Sequence, residues 1–109
     1  MGMVVKRFDV WLINLDPTVG SEIKKTRPGV IVSPDEMNNN INTIIIAPMT
    51  TKCNSYPTRI NFNFQSKNGQ IVLDHIRTID KTRLVKYLGK ISESEAFETI
   101  KILNEIFDY

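Results

Sequence analysis

The chain has 109 residues, 41% of them hydrophobic and 24% charged, which suits one packed domain and excludes global disorder. Fourteen Lys and Arg against twelve Asp and Glu leave a formal charge of +2, too mild to mark a nucleic-acid binder by itself. A single cysteine, Cys53, and a single histidine, His75, exclude a disulfide framework, a multi-thiolate zinc site and a multi-histidine metal site within one chain.

The start of the chain, Met1 to Lys6, lacks the charged and apolar regions of a secretory signal. Met1-Gly2 reads as an expression remnant ahead of a native start at Met3. Phe8, Val10 and Leu12, or Trp11, Ile13 and Leu15 on the other face, predict a first strand. Asp16-Pro17 and Gly20-Ser21 break it. Gly29 to Ser33 predicts a second strand, ended by Pro34, and Asp35 to Asn40 a polar turn or short helix. Thr43 to Pro48 carries the run Ile44-Ile45-Ile46-Ala47, long enough for a strand buried on both faces and far too short to span a bilayer. Ile60, Phe62 and Phe64 alternate with polar residues in a half-buried strand, and Lys67-Asn68-Gly69 predicts the hairpin turn that returns it along Gln70 to Leu73. Leu84 to Ile91 closes the sheet.

The last segment is the clearest helix. Ser92 with Glu95 forms a capping box, and Phe97, Ile100, Leu103 or Asn104, and Phe107 recur at helical spacing, with Ala96 and Ile106 broadening the stripe. An amphipathic helix over residues 93–107 is therefore predicted. Residues 91–109 hold five acidic side chains against one basic, a balance of −4, while residues 1–90 hold 13 basic and 7 acidic, a balance of +6. The mild total hides a basic body and an acidic tail, and a local basic surface is what attracts a polyanion. Short antiparallel strands with a terminal helix predict a mainly β fold, a strongly curved sheet or partial barrel.

Four polar segments flank the strands: Asp16 to Glu22, Lys24 to Pro28, Pro48 to Thr51, and Asp74 to Asp80. In a small barrel such ends lie close in space. The stretches Lys6-Arg7-Phe8-Asp9-Val10-Trp11, Asp16-Pro17 with Gly20-Ser21-Glu22, Arg27-Pro28 with Val30 to Ser33, Pro48-Met49-Thr50-Thr51 with Tyr56-Pro57, and Asp74 with Arg77-Thr78-Ile79-Asp80 resemble the MazF/PemK/Kid family of toxin endoribonucleases, in the family's order and over nearly the whole chain. The resemblance implies one domain over residues 1–109, an SH3-like, partly open barrel of the CcdB/PemK-like kind that forms a homodimer in the cytoplasm. It implies sequence-specific cleavage of single-stranded RNA, mRNA above all, with no metal and no cofactor. It also implies a cognate antitoxin presenting an acidic, partly disordered segment.

Metal-free RNA cleavage uses the 2′-hydroxyl as nucleophile and needs a base, a phosphorane stabiliser and an acid. Arg27 is the expected clamp on the phosphorane and a candidate proton donor; a guanidinium holds its proton too tightly to make a good base. Thr50 matches the family's catalytic Thr and can bond a phosphate oxygen or relay a proton. Glu22 is the candidate base, set against a salt bridge to Lys24 or Lys25. Lys24, Lys25, Thr51, Lys52, Arg77 and Thr78 are expected to contact RNA, with Arg59, Lys81, Arg83 and Lys86 also available to phosphates. Tyr56 is expected to stack a base, and Asn38, Asn39 and Asn54 to read base edges. His75 reads as structural or RNA-contacting, Asp74 and Asp80 as turn anchors, Cys53 as a thiol without catalytic partners, and Trp11 as core or dimer interface. The alternatives are a non-catalytic, CcdB-like gyrase-binding toxin and an SH3-like nucleic-acid-binding module.

Overall fold

Strand β1 (Asp9–Asn14) carries apolar side chains on both faces, and that duplication organises the molecule. A computed structural model describes residues 4–15 and 26–109. Alternation along the strands sends Val10, Val30, Val32, Ala47 and Met49 into one core cluster. The intervening Trp11, Ile13, Ile31, Ile44 and Ile46 enter a second. Leu15, just past β1, joins the second cluster.

Strands β2 (Thr26–Ile31), β3 (Thr43–Thr50), β4 (Arg59–Phe64), β5 (Lys67–Val72), β6 (Arg77–Asp80) and β7 (Leu84–Lys90) complete an antiparallel sheet of order β4-β5-β3-β2-β1-β7, with β6 also pairing β3. Strand β3 is the pivot. Its first half pairs with β6 through Thr43–Ile46. Its middle pairs with β2, and its last residues, Met49 and Thr50, pair with Ile71 and Gln70 of β5. One strand shared this way curls the sheet into a half-barrel, as the sequence predicts.

Helix α1 (Asp35–Asn40) takes the segment left open as turn or helix. Asn38 is buried and latches it: Ser33 Oγ donates to Asn38 Oδ1 at 2.5 Å, and Asn38 Nδ2 donates to the Ser33 carbonyl at 2.9 Å. Asn38 therefore cannot read a base edge. Helix α2 (Glu93–Phe107) has the predicted bounds and both halves of its capping box, with Glu95 N donating to Ser92 Oγ and Ser92 N to Glu95 Oε1.

Three local expectations are corrected. The β4–β5 hairpin turns at Gln65-Ser66, both at positive φ (50° and 64°), and Asn68-Gly69 lies inside β5. Gly69 is there for space: a Cβ would overlap the Thr50 carbonyl oxygen and approach Phe62 Cζ to 2.9 Å. Phe8 precedes β1 in a left-handed conformation (φ 73°) instead of starting the strand. On α2 the buried face is Thr99 with the partly buried Ala96, Ile102 and Leu103, whereas Phe97 and Phe107 stand 71% and 70% exposed. Among the described residues, no helix is long and apolar enough to cross a membrane.

Candidate active site

Arg27 lies at the start of β2 and Thr50 at the end of β3. The β2–β3 ladder pairs Ile31 with Ile46, Val30 with Ala47 and Gly29 with Pro48. Arg27 and Thr50 lie two residues beyond the last pair of that ladder, at the same end of the two strands. Both side chains, with Met49, line two adjoining clefts.

The first cleft, about 550 Å³, is aromatic and lightly charged, lined by Leu12, Pro28, Thr51, Phe62, Phe64, Gln65, Lys67 and Leu88 besides the shared residues. The second, about 440 Å³, is cationic, adding Lys52, Asn54, Arg59, His75 and Arg77. The pair thus offers an apolar seat for a base next to a basic seat for phosphate.

Several contacts fix this arrangement. Lys52 N donates to Thr50 Oγ1 at 3.1 Å, which occupies an acceptor position and leaves the hydroxyl hydrogen free to donate. Gln70, beside Thr50, clasps the Asn54 backbone at both N–H and carbonyl, at 2.9 and 2.8 Å. Arg59 is held by Asp74, with Nε at 3.3 Å from Oδ1, and its guanidinium lies 4.8 Å over the Tyr56 ring. Burial pushes the Asp74 carboxyl up, but hydrogen bonds from Arg59, the Asp74 backbone and Thr58, with the charge of Arg59, outweigh it and hold the pKa below its ordinary 3.8. Asp80 caps the 3₁₀ turn Lys81–Arg83 as expected, accepting from Thr82 N at 2.9 Å, and that bond chiefly lowers its pKa.

The predicted residues distribute unevenly. Arg27, Thr50, Thr51, Lys52 and Arg77 meet around the clefts. Tyr56 joins them only through Arg59, which occupies one ring face. Thr78 is exposed on β6 but lines neither cleft. Lys81 is engaged elsewhere, its Nζ donating to the Asn38 carbonyl. Glu22, Lys24 and Lys25, like Met1-Gly2, lie outside the described residues. Arg59, read from sequence as available to phosphates, and His75, read as structural or RNA-contacting, both line the cationic cleft, whereas Phe62, Phe64 and Lys67 of the aromatic cleft were not among the expected site residues. For His75 the signal was present, a polar run directly after a strand; for the phenylalanines, alternation says only that they face inward. Cys53 is exposed, and no acid–base partner contacts it among the described residues. Among those residues, no three His, Cys, Asp or Glu side chains are grouped to hold a metal.

This half-barrel is a fold that toxins of toxin–antitoxin modules share, and the sequence shows that the chain is one of that class. The model for "PemK-like, MazF-like toxin of type II toxin-antitoxin system" matches residues 6–107, and the chain belongs to that family. A curated relative, Endoribonuclease MazF of Staphylococcus epidermidis, is 36% identical over 107 residues, covering 93% of this chain and 89% of its own. Among solved structures, MazF from Deinococcus radiodurans superposes with a TM-score of 0.81 at 21% identity, over 99% of this chain and 100% of that one. An endoribonuclease in complex with its cognate antitoxin, from a mycobacterial species, gives 0.79 at 22% identity, over 93% and 92% of the two chains. At those identities the solved structures show the fold. The gyrase-binding alternative is not favoured by these relatives.

Proposed function

We propose that this protein is a toxin endoribonuclease that cuts single-stranded RNA, mRNA above all, at specific sequences, without a metal, and so stops translation and growth. The observation that carries the reading is the meeting of Arg27 and Thr50 where an aromatic and a cationic cleft join. The named activity of the staphylococcal relative supports it.

In this reading an unpaired base enters the aromatic cleft against Phe64 while Lys52, Arg59 and Arg77 draw in the adjacent phosphates. The 2′-hydroxyl attacks the phosphorus. Arg27 presents its donor fork to the charge that builds on the phosphorane oxygens. Thr50, its oxygen already accepting from Lys52 N, donates its hydrogen to a phosphate oxygen. Glu22 is assigned the 2′ proton, and Lys24, Lys25 and Thr51 further contacts to the strand. Tyr56, with one face open, stacks a second base, and Thr78 contacts the strand beyond the clefts.

The whole of residues 1–109 acts as one domain in this account, working in the cytoplasm as a homodimer. Tyr87 and Val85 are exposed on β7, and the Tyr87 ring meets Trp11 edge-on at 5.6 Å. Trp11 Nε1 is buried without a hydrogen-bond partner among the described residues. A second copy would cover this apolar edge, and sedimentation at the single-chain mass would argue against it. A cognate antitoxin, presenting an acidic segment to the cationic cleft, neutralises the toxin, as the antitoxin complexes of the structural relatives support.

The test is cleavage of a long single-stranded RNA in excess EDTA. The wild-type protein is expected to cut, while Arg27→Ala and Thr50→Ala stay folded and lose about 10²–10³-fold in rate, the cost of one lost charge-stabilising donor. Cleavage that EDTA abolishes and a divalent cation restores would refute the metal-free route. Intact RNA alongside inhibited DNA supercoiling would refute the nuclease reading.

A further inference from the structure

We propose that His75 is the proton donor to the departing 5′ oxygen, a role that rests on the 2′-hydroxyl reading above and completes it. His75 ends the 3₁₀ turn Leu73–His75 that follows β5, and its side chain is 67% exposed. It shares the cationic cleft with Arg27 and Thr50.

The chemistry of the cleft selects it. The charged groups that face it are Arg27 from β2, Lys52 after β3, Arg59 from β4, Arg77 from β6, and the neighbouring Asp74. The three arginines and the lysine hold their protons too firmly to release them near neutrality, and Asn54 has none to give. Thr50 can donate a hydrogen bond but is a weak acid. Imidazole is the side chain suited to exchanging a proton in that range. Among the described lining residues, His75 alone has that chemistry.

A carboxylate stands beside the ring. His75 Nε2 lies 3.6 Å from Asp74 Oδ2, beyond hydrogen-bond length. That carboxylate is itself fixed, accepting from Thr58 Oγ1 at 3.0 Å and from Arg59 Nε at 3.3 Å. Asp74 is thus a fixed negative charge beside the ring, and its engagement with Thr58 and Arg59 makes it a poor base.

The 2′ oxygen forms a bond to phosphorus, and its proton passes to the base of the reading above. The bond from phosphorus to the 5′ oxygen breaks, and the electron pair left on that oxygen takes the proton of the imidazolium. The products are a 2′,3′-cyclic phosphate and a 5′-hydroxyl, and neutral imidazole regains its proton from solvent. Arg27 then serves as the phosphorane clamp alone and gives up the candidate role of acid.

The experiment replaces the 5′ bridging oxygen at a mapped cleavage site by sulfur. A thiolate departs without protonation, so the loss of a general acid is hidden on that substrate. His75→Gln and His75→Ala are expected to cut ordinary RNA about 10²–10⁴-fold slower in single turnover. On the sulfur substrate both should return to within a few-fold of wild type. Arg27→Ala should remain slow on both. Far-ultraviolet dichroism and binding of an all-2′-deoxy analogue, unchanged in His75→Gln, show that the loss is in proton transfer. A wild-type rate for His75→Gln, or an equal deficit on both substrates, overturns the assignment. Wild-type protein that leaves a 3′-hydroxyl end, or cuts no RNA, overturns the 2′-hydroxyl reading itself and the role of His75 with it.

Discussion

Replacing Gly69 with alanine adds one methyl group at a point where fold and site share atoms. The new Cβ would overlap the Thr50 carbonyl oxygen and stand 2.9 and 3.0 Å from Phe62 Cζ and Cε2. The oxygen belongs to the backbone of β3 and cannot rotate away, and Phe62 is buried in the first core cluster. Strands β3 and β5 must therefore separate near the Met49–Ile71 and Thr50–Gln70 pairs. Overpacking of this kind costs about 1–3 kcal/mol. For a domain near this size each kcal/mol moves Tm by about 4–8 °C, so a fall near 10 °C is expected from ~2 kcal/mol. The same displacement carries Thr50 out of line, and a misplacement of about 1 Å at a reacting group can cost about 10²-fold in rate. Thermal unfolding followed by dichroism reads the first effect, and single-turnover RNA cleavage below the transition reads the second. An alanine variant with the wild-type Tm and rate would refute the argument that Gly69 is selected by this contact.

Three further outcomes follow from other parts of the molecule. Ser92→Ala removes the oxygen that accepts from Glu95 N and is expected to cost about 1 kcal/mol, read as a lower denaturant midpoint with little change in cleavage. Asp74 has its folded pKa below the ordinary 3.8, so its stabilising contribution is complete above that pH and is lost as pH falls through the lower folded value. Asp74→Asn should be less stable than wild type at neutral pH, and the gap should close in acid below pH 3.8; a gap that persists there would contradict the assignment. Arg77→Ala removes one cation from the cleft and should lower the slope of log binding constant against log salt by about 0.7 on single-stranded RNA, with an unchanged slope placing Arg77 off the phosphate path.

Much of the fold is legible because it rests on local chemistry. The bounds of α2 are written in Ser92, Glu95 and an uninterrupted run of helix formers, and the inner strands in their apolar runs. What local pattern does not carry is which of two apolar faces meets a neighbour. Phe97 and Phe107 have helical spacing, yet the sheet packs against Thr99, Ala96, Ile102 and Leu103. Asn68-Gly69 has turn chemistry, yet the β3–β5 contact claims Gly69 for close packing and leaves the turn to Gln65-Ser66. Strand β6 reads as a polar loop because its only buried residue is Ile79, and its place is fixed by pairing with β3. The site behaves likewise. Arg27 and Thr50 are legible through their flanking Pro28, Met49 and Thr51, but the convergence of Arg59 and His75 on them comes from β-pairing across long sequence separations. A lone histidine shows its chemistry in sequence and its company only in space.

The central claim is transphosphorylation of RNA by a site built on Arg27 and Thr50. It is tested most directly by mapping the ends left on a long single-stranded RNA incubated with the purified protein in excess EDTA. The account predicts recurrent cuts at one short sequence, each leaving a 5′-hydroxyl that accepts phosphate from a kinase and a 2′,3′-cyclic phosphate that acid opens. Cuts bearing 5′-phosphate and 3′-hydroxyl ends, or RNA that remains intact, would contradict it.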